Sequence, residues 1–266
     1  MSQKLGLSLS LPSIKTGGAS AFKNLYSLDF DGVDDYVDFG DQDIFTPNNS
    51  GGNRGMSFSY WAKLPNIASQ TLIAKSGVFY SGAYHYEYRL RTNFAGKPFI
   101  TFYGNDNASI FVKILLDTPI VVNTWTHIAF TWNLGSTNAD LIGYINGVKH
   151  SAADGNATFS SGGTWSAVVN TLNTLYQGKD GGASFGGGKL DEFAIFDDNL
   201  STAKVQAIYN SGTPTDLSGE QYLIGYWRNG DTAGTSVYPT IEDYSSEGND
   251  GTMTNMTSGD IVTDTP

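Results

Sequence analysis

The sequence predicts an all-β fold: a two-sheet antiparallel β-sandwich of the jelly-roll type, with one short helix near residues 202–211. Three observations predict it. Ten or so short segments alternate apolar and polar residues at near-even spacing, the period of half-covered strands. Turn formers crowd the intervals, glycine alone supplying 32 of the 266 residues. No helical period occurs before residue 202.

Residues 1–25 read as an extended arm in which Leu5, Leu7, Leu9 and Leu11 alternate with Gly6, Ser8 and Ser10. That alternation suits a strand that docks on something, and it lacks the continuous apolar run of a signal peptide. Residues 26–40, YSLDFDGVDDYVDFG, read as a hairpin turning at Asp31-Gly32, with Leu28 and Phe30 before the turn and Val37 and Phe39 after it. Residues 46–55 are loop. MSFSYWAKL, residues 56–64, sets Phe58, Tyr60 and Ala62 against Ser57, Ser59 and Trp61. Strands follow at 70–75, 84–91, 98–103, 108–115, 125–132 and 141–145, the last running into Asn146-Gly147, the strongest hairpin signal in the chain. Segments 172–177 and 190–196 complete the series. Ser201 stands where an N-cap should, Val205, Ile208 and Tyr209 form an apolar stripe, Gly212 suits the C′ position and Pro214 blocks continuation. The sandwich is thus expected over 26–214. Residues 215–266 add one strand, at 222–228, and a polar irregular tail that packs on the sandwich or on a partner.

Composition narrows the function. A hydrophobic content of 39% and an aromatic content of 13% provide for a substantial core. The net charge of −11, with 15 Lys and Arg scattered along the chain, argues against a nucleic-acid surface. Without cysteine there are no disulfides, thiolate metal sites or thiol nucleophiles. The longest apolar run, 110–122, is broken by Lys113, Asp117 and Pro119 and is unsuited to membrane insertion.

Five segments, YSLDFDGVDDYVDFG, MSFSYWAKL, NTWTHIAFTWN, LIGYINGVKH and GGKLDEFAIFDDNLSTAKVQAIYNSG, resemble in order and spacing the laminin-G-like domains of the concanavalin-A-like lectin/glucanase superfamily. The resemblance covers about residues 26–212. It implies two curved antiparallel sheets, a structural calcium ion, and glycan or protein binding without catalysis. The segment YLIGYWRNGDTAGTSVYPTIEDYSSEGNDGTMTN resembles one that commonly precedes such domains, but here it follows. That order, with the short Leu/Ser/Gly start, is similar to virion structural proteins of tailed bacteriophages.

Asp29, Asp31, Asp34, Asp35 and Asp38 crowd one hairpin. Calcium takes six to eight oxygen ligands, and the resemblance makes Asp31, Asp34 and Asp191 its side-chain ligands; the alternative is a solvated acidic turn. Tyr84, Tyr86 and Tyr88, at i, i+2 and i+4, form a stripe on one sheet face: either a platform for sugar stacking or the sandwich interior. Glu87, Arg89 and Asn105 lie close to it in sequence. No E-x-D-x-x-E pattern of the related glucanases occurs, and adjacent Asp191 and Glu192 would face opposite sides of a strand, so no paired carboxylates serve hydrolysis. His85, His127 and His150 are isolated. The expected function is a non-enzymatic virion structural or adhesive protein, such as a capsid decoration or fibre component, binding other virion proteins or copies of itself as a homo-oligomer. It would be assembled in the host cytoplasm. The second reading is a cellular or extracellular carbohydrate-binding lectin module.

Overall fold

The computed structural model describes residues 22–47, 54–80, 83–104, 107–182, 184–231 and 238–266, without the side chains of 78–80, 83–84 and 107. The leucines of the N-terminal arm, and Asn105, lie outside the described residues. In chain order the strands are β1 (Ser27–Asp31), β2 (Tyr36–Asp38), β3 (Met56–Lys63), β4 (Gln70–Tyr80), β5 (Ala83–Thr92) and β6 (Pro98–Gly104). Then come β7 (Asn107–Leu116), β8 (Thr126–Trp132), β9 (Leu141–Ile145), β10 (Val148–His150), β11 (Ala157–Gly162) and β12 (Leu175–Gln177). The series closes with β13 (Gly187–Phe196), helix α1 (Thr202–Tyr209), β14 (Leu223–Trp227), β15 (Thr240–Ile241), β16 (Gly251–Thr254) and β17 (Ile261–Val262).

These strands make two antiparallel sheets. The eight-stranded sheet runs β10-β9-β8-β3-β13-β1-β17, with β14 also paired to β13. The nine-stranded sheet runs β11-β7-β6-β5-β4-β12-β2-β16-β15. The apolar faces meet in one core. Phe102 of β6 stacks on Trp132 of β8 across the gap at 3.9 Å, and Trp227 of β14 stacks on Phe193 at 5.0 Å and meets Phe39 at 4.2 Å. Each fully buried ring of this kind contributes about 1.5–3 kcal/mol relative to exposure.

Helix α1 covers the other face of the eight-stranded sheet. Its Val205 and Ile208 pack with Ala194, Phe196 and Tyr226 in a second apolar cluster. The Ser201 hydroxyl accepts from the Lys204 amide at 3.2 Å, as its cap role requires. The chain leaves the helix at Asn210, in the left-handed region at φ +43°, two residues before the expected Gly212. The Asn146-Gly147 hairpin forms between β9 and β10, both residues having positive φ. Among the described residues no helix is long and apolar enough to cross a membrane.

One expectation is corrected and another is extended. The segment 26–40 is no hairpin: β1 pairs with β13 and β17, whereas β2 pairs with β12 and β16 in the other sheet. The Asp31 carboxylate causes this. Its Oδ1 accepts from the amides of Val33, Asp34 and Asp35, a wide turn that carries the chain from sheet to sheet. The end of the chain does pack on the sandwich, one of the two outcomes expected, but it carries more strands than the one expected. β16 and β17 extend the two sheets, Met253 and Met256 enter the core, and the Asp264 carboxylate binds Lys63 at 2.8 Å and Lys189 at 2.7 Å.

Candidate functional site

The nine-stranded sheet turns its second face outward, and there the tyrosine stripe divides. Along β4 and β5 the register runs Ala74 to Arg89 and Lys75 to Tyr88, then Ser76 to Tyr86, so Glu87 is an extra residue. This β-bulge reverses the alternation. Tyr88 is fully buried against Phe58 and Phe102 in the core. Tyr86 is half-buried on the outer face against Tyr103, ring centres 5.1 Å apart. The side chain of Tyr84 lies outside the described residues. The single-face stripe is therefore corrected, because strict alternation fails at a bulge.

Glu87 itself turns inward with Lys75, and neither has measurable exposure. Its carboxylate accepts from the Lys75 ammonium at 2.8 Å, from Thr46 Oγ1 at 2.6 Å and from Thr171 Oγ1 at 2.7 Å. Burial raises the Glu87 pKa, and the Lys75 charge is the leading opposing influence.

With Glu87 removed from it, the outer face holds Tyr86 and Tyr103 with three cations. The Arg89 guanidinium lies 4.3 Å over the Tyr86 ring and 5.4 Å from that of Tyr103, and its Nε donates to Ser76 Oγ at 3.1 Å. The register aligns Arg89 with Thr101 and Thr101 with Lys113, and places Arg91 beside Phe99. Lys113 sits 4.3 Å over the Phe99 ring. Towards β2, Lys179 lies 3.8 Å over Tyr36 and 4.7 Å from Tyr176. Stacked rings and guanidinium planes suit the C–H faces and hydroxyls of a sugar. Sequence reading missed Arg91, Lys113 and Tyr103 as members of this group. The i, i+2 spacing of Arg89 and Arg91 was a visible sign of a shared face, but Lys113 joins only through pairing two strands away.

The acidic turn brings Asp31, Asp34 and Asp35 together, with one carboxylate oxygen of each within 4.8 Å of the others. Asp191 is not among them: it pairs with Trp61 in the middle of β13, four residues beyond Gly187, and is fully buried. As a ligand partner of Asp31 and Asp34 it is corrected, since β1 aligns Asp31 with Gly187 instead. The turn fits calcium in part. Asp34 and one oxygen each of Asp31 and Asp35 are available, while Asp31 Oδ1 and Asp35 Oδ2 already accept backbone amides. An open cleft of about 480 Å³ lies alongside, lined by Asp31, Asn66, Gln70 and Lys189 among others.

Asp191 and Glu192 are a second correction. Glu192 has φ +49°, and the register with β3 slips between Asp191 and Ala194. Both carboxylates consequently enter one buried network instead of facing opposite ways. Asn24 donates to Asp191 at 2.9 Å, Tyr226 donates to Glu192, and Arg228 Nε stands 3.5 Å from Glu192. Asp231 accepts from Arg228 at 3.2 Å and from the Leu25 amide at 2.9 Å. Burial raises Asp191 well above the ordinary carboxylate range, with Glu192's charge adding to it, and lifts Glu192 to about 7. Nearby His127 is held by Ser59 at 2.9 Å between Trp61 and Tyr209, and burial lowers it to about 3. These groups are sealed beneath the helix and residues 22–26.

Comparison with known proteins follows the fold. Residues 31–206 match the family described as "Concanavalin A-like lectin/glucanases superfamily". No curated protein matches the sequence. A Bacteroides ovatus protein provisionally described as carbohydrate binding is similar at TM-score 0.59 and 15% identity, over 89% of this chain and 60% of that one. This chain thus spans about three fifths of that protein's length. A heptameric SAP-like pentraxin of Limulus polyphemus has TM-score 0.45 and 16% identity over 70% of this chain and 82% of its own. The Ruminococcus gnavus IT-sialidase CBM40, solved with α2,3-sialyllactose, has TM-score 0.46 and 12% identity over 69% and 97%.

Proposed function

The chain belongs to the concanavalin A-like lectin/glucanases superfamily, and from that premise we propose that it is a non-catalytic binding module taking a carbohydrate on the outer face of its nine-stranded sheet. The observation that carries this is the Tyr86–Arg89–Tyr103 stack, three large half-buried side chains that the core does not use. Aromatic and guanidinium planes held side by side form a platform at low entropic cost. Catalysis has no support in the same place, where the described side chains around Tyr86 and Tyr103 include no pair of carboxylates at hydrolytic spacing. The carboxylates Asp191 and Glu192, on the other sheet, are closed off from a polymer, and burial holds His127 neutral. A structural calcium at Asp31 and Asp34 is proposed with the module.

The virion role rested on a resemblance in segment order and in the Leu/Ser/Gly start, which lies outside the described residues. Nothing further supports it, and the C-terminal segment, for which a partner was one expected seat, packs on the sandwich. The lectin reading is preferred, and the chain's location follows from neither. Binding to a glycan array, lost in Tyr103→Ala at unchanged Tm, supports the proposal. An array with no glycan retained, or turnover of a β-glucan by pure protein, overturns it.

A further inference from the structure

Fifteen cations serve a chain of net charge −11, and their pairing is uneven. Arg54, Lys63, Lys75, Lys97, Lys149, Lys189, Lys204 and Arg228 each meet a carboxylate. Among the described residues five cations have no carboxylate within 4.0 Å: Lys23, Arg89, Arg91, Lys113 and Lys179. Four of these five share the outer face of the nine-stranded sheet. In so acidic a protein, unpaired positive charge gathered on one face is the reverse of what a merely solvated surface would show.

The three central cations are also close to one another. Arg89 and Arg91 leave β5 on the same side, and Lys113 stands two strands away, about 10 Å by ordinary strand spacing. They are partly withdrawn from water. Arg91 Nε is buried with no hydrogen-bond partner. Burial lowers the Arg91 pKa and the Arg89 charge adds to that, against a smaller opposing pull from Asp180 and Tyr103; burial lowers Lys113 likewise, with Arg91 adding. The arrangement costs the folded protein both desolvation and like-charge repulsion, and an anion bound among the three would offset both.

We propose that Arg89, Arg91 and Lys113 select a polyanionic glycan, its sulfates or carboxylates lying over the cations and its sugar rings against Tyr86 and Tyr103. This rests on the carbohydrate-binding reading above and names the ligand class of the same face. Guanidinium groups suit such oxyanions because their forked donors match the two oxygens of a carboxylate or sulfate. The flanking rings supply what a bare phosphate or chloride site would lack.

The test is titration calorimetry with a heparin octasaccharide, an oligogalacturonate, neutral cellooctaose and single-stranded oligo-dT. Each is titrated at about 0.1 M and about 1 M salt, between which the screening length falls from about 10 to about 3 Å. The expected result is binding of heparin, oligogalacturonate or both at low salt, weakened about tenfold or more at high salt. Which of the two binds more tightly tells sulfate from carboxylate recognition. Arg89→Gln with Lys113→Gln should weaken it by a further tenfold or more. Should that variant have a lowered Tm, Lys113→Glu serves instead, since the native ammonium there packs on the Phe99 ring and makes no ion pair with the described residues. Tight binding of cellooctaose that tolerates these changes overturns the anionic assignment yet leaves the module reading intact. Oligo-dT bound as tightly as the glycans overturns the assignment to sugar. Anionic chains that fail to bind, or bind both variants unchanged, also overturn it.

Discussion

At Glu192 the backbone takes φ +49°, a conformation that costs a non-glycine residue about 1–2 kcal/mol, and it delivers a carboxyl group into a sealed pocket. Burial raises that group from its ordinary 4.5 to about 7. Between those values the unfolded chain has released a proton that the native protein still holds, so raising the pH favours unfolding. This group's contribution to stability should thus be full at or below pH 4.5 and be lost as pH rises through 7. Melting curves across this window should show a falling Tm that Glu192→Gln flattens; an identical slope in the variant would discredit the sealed-acid account. The aspartates of the acidic turn divide by the same logic. Asp31 accepts three amides, and they hold its pKa below the ordinary value despite some burial. Asp31→Ala should cost about 1–2 kcal/mol with no calcium present, a Tm fall of roughly 2–8 °C. The described structure gives the Asp34 carboxylate no hydrogen bond, so Asp34→Ala should leave the metal-free Tm unchanged and remove any rise on adding calcium. A hundredfold excess over Kd would raise native stability by about 2.7 kcal/mol. A Tm indifferent to calcium and to chelator removes the metal proposal.

The bulge in β5 shows what one inserted residue does to a strand. It sends Glu87 inward to Lys75, pins Thr46 and Thr171 from two distant loops, and frees Tyr86 for the outer face. Lys75→Met would leave that carboxylate unpaired in the interior and should cost about 3–5 kcal/mol, whereas pairing it with Glu87→Leu should recover most of the loss. Chemical denaturation of the three proteins checks this; equal stability of single and double variants would mean the pair is not coupled. Strands were legible in the sequence because period-two alternation survives wherever pairing is regular, as in Phe58, Tyr60 and Ala62 of β3. The Ser201 cap and the Asn146-Gly147 turn were legible because each is decided by two or three adjacent residues. The bulges at Glu87 and Glu192 were not, since a single inserted residue leaves no mark on composition and appears only against the partner strand. For that reason the tyrosines were read as sharing one face, when Tyr88 takes the interior alternative and Tyr86 the outer face. The same limit hid the route of residues 31–36, where turn chemistry was plain but its destination was another sheet.

Across the whole molecule the last residues close what the first begin. β17 borders β1, β16 borders β2, and Asp264 ties Lys63 to Lys189 with a carboxylate held at about 2 by those ammonium groups and Trp125 against some desolvation. Truncation before residue 250 removes both strands and the buried Met253 and Met256. At about 1.5–3 kcal/mol for each methionine, Tm should fall by roughly 6–24 °C. A truncated chain that melts with the parent would show the tail to be dispensable. This closure has a consequence for how the chain is made. Emerging at about 5–20 residues per second, β1 waits for β13, roughly 150 residues later, which is about 8–30 s. Over that time β4 to β7 and β8 to β10 can pair with neighbours close in sequence, while β1 stands with open edges. Pairings of such high contact order are intrinsically slow to form, so the nascent protein is a half-built sandwich exposed to chaperones and to other copies of itself. The sandwich can close only once β13 has been made and has found β1 and β3.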